Sequence, residues 1–182
     1  MSEVDRSAWR FCNSVGIITV TAGGRMNAMA AEWFTPVSIN PPLLGVFVGL
    51  DRYTHHLMEE TPYWAVSLLG ERQTDISVYT GRFSGYEVDK LDTFPIPLTA
   101  AKHIPAPLIQ GAAAHFECRT VAKHLYGDHT LYVGHPIRAA ADPDAPLPLV
   151  YYKGGMYHLG EREPRLERDQ AREMFIGGQA NE

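Results

Sequence analysis

The sequence predicts a mainly β protein with short helices, folded as a small antiparallel barrel. Extended runs of apolar residues recur along the chain, separated by clusters of Gly, Pro, Asn and Asp. Helical patterns are few and short, and none exceeds about three turns by the usual spacing of apolar residues. Many short strands joined by tight turns are typical of antiparallel barrels and sandwiches.

The first two strands are predicted to form a hairpin. Residues Val15 to Ala22 are apolar or β-branched, a Gly-Gly pair follows, and a second extended run starts at Arg25. Both central residues of a type I′ turn need positive φ, which glycine adopts without cost. The second strand is expected to end near Phe34.

The next strand follows a turn at Pro41 and Pro42. Residues Leu43 to Leu50 are apolar on both faces, which is consistent with a strand that lines a closed barrel rather than a one-sided sheet. Further strands are predicted at Tyr63 to Leu69, Ala112 to Lys123, Thr130 to Ala139 and Leu149 to Tyr152.

Two short helices are predicted between the strands. One covers Thr54 to Glu60, with Asp51 or Thr54 as its N-cap, since both side chains can accept hydrogen bonds from the first turn. The other covers Glu71 to Thr80 and is expected to stop at Gly81. The proline-rich stretch from Phe94 to Gly111 predicts an ordered loop with fragments of edge strand.

Length and composition limit the possible functions. A chain of 182 residues, with 45% hydrophobic and 20% charged residues, predicts one soluble domain spanning residues 1–182. The net charge of −5 argues against nucleic-acid binding. Only Cys12 and Cys118 occur, and neither a signal peptide nor an apolar run of about 18 residues is visible. We therefore expect no membrane segment and a cytoplasmic location.

One stretch, from Asn27 to His56, carries the clearest functional pattern. Small residues from Asn27 to Ala31 would let a flat molecule lie close to the backbone, and a loop with Arg52 and Thr54 before a helix suits an anion. The stretch resembles the flavin reductase-like family of FMN-binding split-barrel proteins. Similar motifs follow in the family's order as SGYEVDK at residues 84–90, GDHTLYVG at 127–134 and VYYKGGMY at 150–157.

The resemblance implies a split β-barrel, antiparallel and Greek-key-like, with a core of about residues 14–160 and a charged C-terminal tail at 161–182. It also implies a non-covalent FMN site. The residues that it assigns to FMN are Asn27, Met29, Ala30, Ala31, Glu32, Arg52, Tyr53, Thr54, His55, Ser84, Gly85 and Lys90. Composition alone favours another explanation of Lys90 and Arg82, as cations near the carbonyl groups at the end of a helix.

His129 is the candidate catalytic residue. It resembles a family histidine near the nicotinamide side of the flavin, where an imidazole could orient a carboxamide or move a proton. Tyr152 and Tyr157 are candidate aromatic walls, although such residues more often belong to a core. A zinc site built from His124, Asp128 and His129 is a weak alternative, and no metal site is expected.

The family resemblance predicts an oxidoreductase that transfers hydride from NADH or NADPH to FMN and passes electrons to a partner monooxygenase or another acceptor. It further predicts a homodimer with FMN near the subunit interface. Two alternatives are a flavoredoxin-like electron carrier that holds FMN without its own nicotinamide site, and a split-barrel protein that binds haem or another ligand. The absence of GxGxxG and of a P-loop motif excludes the common Rossmann and P-loop sites.

Overall fold

The computed structural model describes residues 8–141 and 144–162, and this part of the chain is mainly β. Its strands, in chain order, are β1 (Asn13–Ser14), β2 (Gly16–Ala22), β3 (Arg25–Ala31), β4 (Phe34–Ile39), β5 (Pro42–Gly49), β6 (Tyr63–Leu68), β7 (Leu98–Thr99), β8 (Leu108–Ile109), β9 (Ala114–Tyr126), β10 (His129–Ala141), β11 (Val150–Tyr152) and β12 (Gly155–Tyr157). Its helices are α1 (Tyr53–Glu60), α2 (Thr74–Arg82) and α3 (Lys90–Thr93).

Seven strands form one antiparallel sheet in the order β3-β2-β6-β9-β10-β5-β4. A small sheet, β1-β11-β12, and the pair β7-β8 complete the described strands. The prediction of a mainly β, antiparallel fold with short helices is confirmed. Strands β3 and β4 are the two ends of the large sheet, so both carry one edge without a neighbour in that sheet.

The predicted hairpin is present. Gly23 and Gly24 adopt φ values of 55° and 77° and join β2 to β3, which pair in register from Gly16 opposite Ala31. The prediction that the second strand continues to near Phe34 is wrong. Phe34 instead begins β4 and lies opposite Val46 of β5. The chain therefore leaves one edge of the sheet at Ala31 and joins its other edge.

Helix α1 confirms the first predicted helix but not its cap. Arg52 occupies the N-cap position, and no side chain there bonds to the first turn. Thr54 is buried and its Oγ1 accepts a hydrogen bond of 2.7 Å from Asn27 Nδ2. Asp51 or Thr54 as N-cap was therefore the wrong prediction, because Thr54 is used to hold β3 against α1.

Helix α2 begins and ends later than predicted. It runs from Thr74 to Arg82, so Gly81 lies within its last turn and Phe83 is the C-cap. Gly81 has a packing role, since a Cβ at this position would lie 3.2 Å from Ala30 of β3. The helix α3 was not predicted. It is capped by Asp89, whose Oδ1 accepts hydrogen bonds from Leu91 N and Asp92 N.

The core lies on both faces of the central strands. Ile18 and Val20 of β2 pack with Trp64 and Tyr132 in one cluster. Ile17, on the opposite face of β2, packs in a second cluster with residues of α2, the proline-rich loop and the chain before β11. Burying both faces of β2 fixes its hairpin partner β3, which in turn carries most of the site described below.

The proline-rich loop confirms its prediction as ordered chain with short strand fragments, β7 and β8. Its anchor is Glu117, whose fully buried carboxylate accepts hydrogen bonds from Lys102 N and His103 N. Among the described residues, no helix is both long enough and apolar enough to cross a membrane. Except for Glu161 and Arg162, the predicted tail lies outside the described residues.

Candidate active site

A cavity of about 600 Å³ lies beside the edge strand β3; we name it the first cavity. Its wall combines β3, the start of α1, the end of α2 with the loop after it, and the start of α3 and β10. Predicted site residues that line it are Asn27, Met29, Ala30, Ala31, Glu32, Arg52, Tyr53, Thr54, Ser84, Gly85, Lys90 and His129. The fold thus gathers residues that are up to about a hundred positions apart in the chain.

His55 is the predicted site residue that does not line this cavity. Its Nε2 lies 2.9 Å from Thr130 Oγ1, and its ring packs edge-on against Tyr132. Successive residues of an α-helix point about 100° apart, so His55 cannot share the direction of Thr54. Burial lowers the pKa of His55 and outweighs the nearby Glu59 carboxylate, which acts in the opposite direction.

One end of the first cavity, the cationic end, holds Arg52, Thr54, Ser84 and Lys90. Lys90 is only 3% exposed, and its Nζ donates a hydrogen bond of 3.1 Å to the Thr80 carbonyl. Burial, followed by repulsion from Arg52, lowers its pKa to about 8. No ion pair between Lys90 and a carboxylate occurs within the described residues.

Arg52 is more exposed and has a local partner. Its Nε lies 3.3 Å from Asp51 Oδ1, and both side chains are more than half exposed. Exposed ion pairs of this kind are weak and easily exchanged. The N-cap side chain of α1 accepts no hydrogen bond from the first turn, and the first residues of that turn, Tyr53 and Thr54, line the cavity. An anion at the cationic end would meet both sets of donors.

A hydrogen-bonded contact shapes the cationic end. Asn27 holds Thr54, and Gly85 packs against the same pair of elements. A Cβ at Gly85 would overlap the ring of Tyr53 and come within 2.8 Å of Asn27 Oδ1. Only glycine therefore lets the loop after α2 approach β3 and α1 this closely.

A second group of lining residues, which we name the aromatic end, consists of Glu32, Trp33, Phe47 and His129. The indole of Trp33 lies 4.8 Å from the His129 ring at an angle of 37°, and 6.4 Å from Phe47, edge-on. His129 Nδ1 lies 2.7 Å from Asp128 Oδ1. Since an ionised carboxylate only accepts, this contact places the proton on Nδ1 and leaves Nε2 of the neutral ring as an acceptor.

Comparisons with known proteins identify the family of this chain. Residues 8–160 match the family model described as a flavin reductase like domain. The chain belongs to the flavin reductase-like family. An NADH-dependent FAD reductase of Streptomyces globisporus is 36% identical over 130 residues, which cover 70% of each chain. The family resemblance predicted from the four motifs is confirmed.

Two solved structures extend the comparison. The NADH:FAD oxidoreductase of Streptomyces globisporus C-1027, in complex with NAD and FAD fragments, aligns with a TM-score of 0.77 and 30% identity over 88% of this chain and 98% of that one. The flavin reductase component of a bacterial two-component tryptophan halogenase aligns with a TM-score of 0.74 and 30% identity over 84% and 93%.

The cavity of this family member fits a flavin by its own chemistry. A buried lysine without a carboxylate partner is costly unless an anion joins it, and a flavin phosphate is such an anion. The small side chains of β3 and the aromatic end provide a flat, partly apolar wall for a ring system. The volume of about 600 Å³ lies within the usual range for sites of small ligands.

Several residues that line the first cavity were not predicted as site residues from the sequence. They are Trp33, Phe47, Gly49, Asp51, Thr80, Gly81, Arg82, Phe83 and Glu87. Trp33 belonged to the quoted family pattern, and Arg82 was noted for its charge, so both carried a usable signal. The others lie on β5, on α2 or in loops, where only the folded chain shows which side faces the cavity.

The remaining candidates lie elsewhere. Tyr152 and Tyr157 pack against each other in the small sheet, 6.2 Å apart, and line neither this cavity nor the one described below. Within residues 8–141 and 144–162, no three His, Cys, Asp or Glu side chains converge as a metal ion requires. The weak zinc alternative at His124, Asp128 and His129 therefore has no support from the geometry.

Proposed function

We propose that this protein is a flavin reductase that takes a hydride from NADH and delivers it to a flavin bound in the first cavity. The observation that carries the proposal is the lining of that cavity, which combines a buried lysine without a carboxylate partner with His129 beside Trp33. The family and its NADH-dependent relatives support the same reaction. The flavin reductase function predicted from the sequence is confirmed.

The chain's own residues would bind and align the reactants. Lys90, Arg52 and the first turn of α1 would hold the flavin phosphate, and β3 would present its backbone to the ring. His129 Nε2, fixed as an acceptor by Asp128, would receive an N–H of the nicotinamide carboxamide. Bound flavin supplies the redox chemistry, accepting the hydride from nicotinamide C4 and a proton, with NAD⁺ as the second product.

We propose FMN as the flavin and NADH as the preferred donor, with NADPH as a poorer one. FMN follows from the cationic end, which needs only one phosphate to neutralise Lys90. The relative from Streptomyces globisporus named above is NADH-dependent and reduces FAD, so both flavins must be compared directly.

Anaerobic mixing of the flavin-loaded protein with each nucleotide tests the reaction. We expect NADH to bleach the visible flavin absorbance in a single turnover, faster than NADPH does at equal concentration. A protein that binds FMN but is bleached by neither nucleotide would instead be the flavoredoxin-like carrier. A protein without flavin binding, measured by fluorescence quenching, would sink the proposal as a whole.

We further propose that reduced flavin serves a partner monooxygenase or a similar flavin-dependent enzyme. The support is the likeness to a flavin reductase component of a two-component halogenase. The partner predicted from the sequence thus has a parallel in a structural neighbour. Oxygen consumption in the presence of a candidate partner, compared with free reduced FMN, measures the transfer.

We also propose a homodimer, closure of the seven-stranded sheet into a split barrel, and a cytoplasmic location. Exposed apolar residues on the edge strand β4, with Val37 at 49% and Ile39 at 92% exposure, support an interface there. One domain spanning residues 1–182 stays a prediction as well. Light scattering at micromolar concentration tests the dimer, since a monomer that still binds FMN tightly would contradict it.

A further inference from the structure

A second cavity, of about 550 Å³, adjoins the first and has no role in the proposed reaction so far. The two cavities share the wall formed by Ala30, Ala31, Glu32, Gly81 and Arg82. The second cavity then extends between α2 and the β11-β12 hairpin, where Val78, Tyr151 and Met156 line it. Glu32, which lines both cavities, is next to Trp33 of the aromatic end in the chain.

The shared wall carries one group of each charge. Arg82 is exposed in the last turn of α2, and no ion pair of its guanidinium occurs among the described residues. Glu32 is half-buried, and burial raises the pKa of its carboxyl. Beyond them the wall is mostly apolar. From Trp33 in the first cavity, across the shared wall, to Tyr151 in the second, the lining changes from aromatic to charged to mostly apolar.

This order matches the parts of a nicotinamide dinucleotide. Its nicotinamide needs the aromatic end, its diphosphate needs a cation, its ribose hydroxyls suit a carboxylate, and its adenine suits an aromatic or sulfur-containing wall. We propose that the second cavity receives the adenosine half of NADH, with Arg82 on the diphosphate, Glu32 on the adenosine ribose and Tyr151 and Met156 against the adenine. The inference rests on the proposed function.

The same placement explains a preference for NADH over NADPH. A 2′-phosphate on the adenosine ribose would lie next to the Glu32 carboxylate, and two negative charges in a partly buried site repel each other. A carboxylate that accepts from two ribose hydroxyls rewards the unphosphorylated form instead. The first cavity keeps its flavin in either case, because Arg52, Thr54 and Lys90 line only that cavity.

The decisive comparison uses two hydride donors that differ only in the adenosine half. NADH carries it, and reduced nicotinamide mononucleotide lacks it. Val78→Trp, which adds bulk at the second cavity, and Arg82→Gln, which removes the cation, should each raise the KM for NADH about tenfold or more. In Val78→Trp, whose side chain lines only the second cavity, the KM for the mononucleotide and the Kd for FMN should change less than twofold. Val121→Trp, on the exposed face of β9, is the matched control for added bulk.

A binding measurement removes any dependence on turnover. ADP-ribose contains the adenosine and diphosphate but cannot donate hydride, so calorimetry reports its binding directly. We expect binding to the flavin-loaded wild type and at least a tenfold weaker binding to Val78→Trp and Arg82→Gln. In Glu32→Gln, the ratio of the KM for NADPH to the KM for NADH should fall about tenfold.

The outcomes separate this inference from the proposed function. If neither donor bleaches the flavin, the reaction itself is wrong. If both donors work and neither Val78→Trp nor Arg82→Gln distinguishes them, the adenosine half lies elsewhere and the inference is overturned. If the two variants weaken FAD but leave FMN and NADH unchanged, the cavity belongs to the adenosine of FAD, which also overturns it.

Discussion

The two ends of the first cavity differ in how far their polar side chains are exposed to solvent. At the cationic end Lys90 is almost fully buried, whereas two carboxylates that also line the cavity, Asp51 and Glu87, are exposed. At the aromatic end Trp33 is 40% exposed and the carboxylate of Asp128 is 94% exposed. Buried charges interact strongly and exposed ones weakly. We therefore expect the cationic end to control flavin affinity and the aromatic end to control the rate.

The largest expected effect is on flavin affinity at Lys90. Hydrogen bonds to charged groups contribute about 1.5 to 3 kcal/mol, so Lys90→Met should weaken FMN binding roughly ten- to a hundredfold. Riboflavin, which has no phosphate, should bind equally well to variant and wild type in fluorescence titrations.

Lys102→Met, on the exposed proline-rich loop, is the control for loss of a positive charge. If this control weakens FMN as much as Lys90→Met does, long-range charge rather than contact explains the affinity. Equal losses for FMN and riboflavin in Lys90→Met would mean that Lys90 supports the fold of the cavity instead of binding phosphate.

The pH dependence of FMN affinity should report the titration of Lys90. Phosphate favours charged Lys90, whose pKa of about 8 in the free protein is below its usual value. Below pH 8 the lysine is already charged and affinity is full. Above pH 8 binding must take up a proton, so affinity should fall, by about tenfold at pH 9.

Riboflavin is again the control, because it shares the ring system of FMN but has no phosphate. Its affinity should stay constant between pH 7 and 9, and the fall for FMN should vanish in Lys90→Met. A parallel decline for riboflavin would show that pH acts on binding of the ring system or on the fold. It would contradict the role of Lys90 in binding the phosphate.

A smaller effect is expected at the aromatic end. His129→Ala removes one acceptor for the carboxamide, and a typical hydrogen bond contributes about 1 kcal/mol, so reduction by NADH should slow about fivefold. The Kd for FMN should stay within a factor of two. Stopped-flow bleaching and fluorescence titration on the same sample measure both quantities. Loss of FMN affinity without slower reduction would reverse the assignment of the two ends.

Parts of the site also differ in how well the sequence could predict them. The residues of β3 and the loop before α1 were assigned to one site because they are close in the chain and follow a family pattern. Periodicity then placed most strands correctly. Thr54 was assigned to the site correctly as a lining residue, but its bond to Asn27 depends on contact between two elements, which no local pattern encodes.

Lys90 and the second cavity show more clearly what could not be predicted from the sequence. In the sequence Lys90 looks like a cation at a helix end, and only the packing of α3 against β3 buries it. The second cavity combines β3, α2 and the β11-β12 hairpin, which are separated by at least forty positions along the chain by the bounds of these elements. Tyr152 and Tyr157 were named as walls, whereas strand alternation turns the neighbouring Tyr151 toward the cavity.

The smallest effect is expected at Asp128, and it tests whether the aromatic end is positioned through His129. Asp128→Asn keeps the size of the side chain but weakens its 2.7 Å contact with Nδ1, so the imidazole loses part of its fixed tautomer. Because Asp128 is 94% exposed, the contact contributes only a few tenths of a kcal/mol, and reduction should slow about twofold. In the double variant with His129→Ala, the Asp128→Asn change should have no further effect, since a partner that acts only through His129 is already without its target. Additive losses in this cycle, measured by stopped-flow bleaching with NADH, would show that Asp128 acts on the reactants independently of His129.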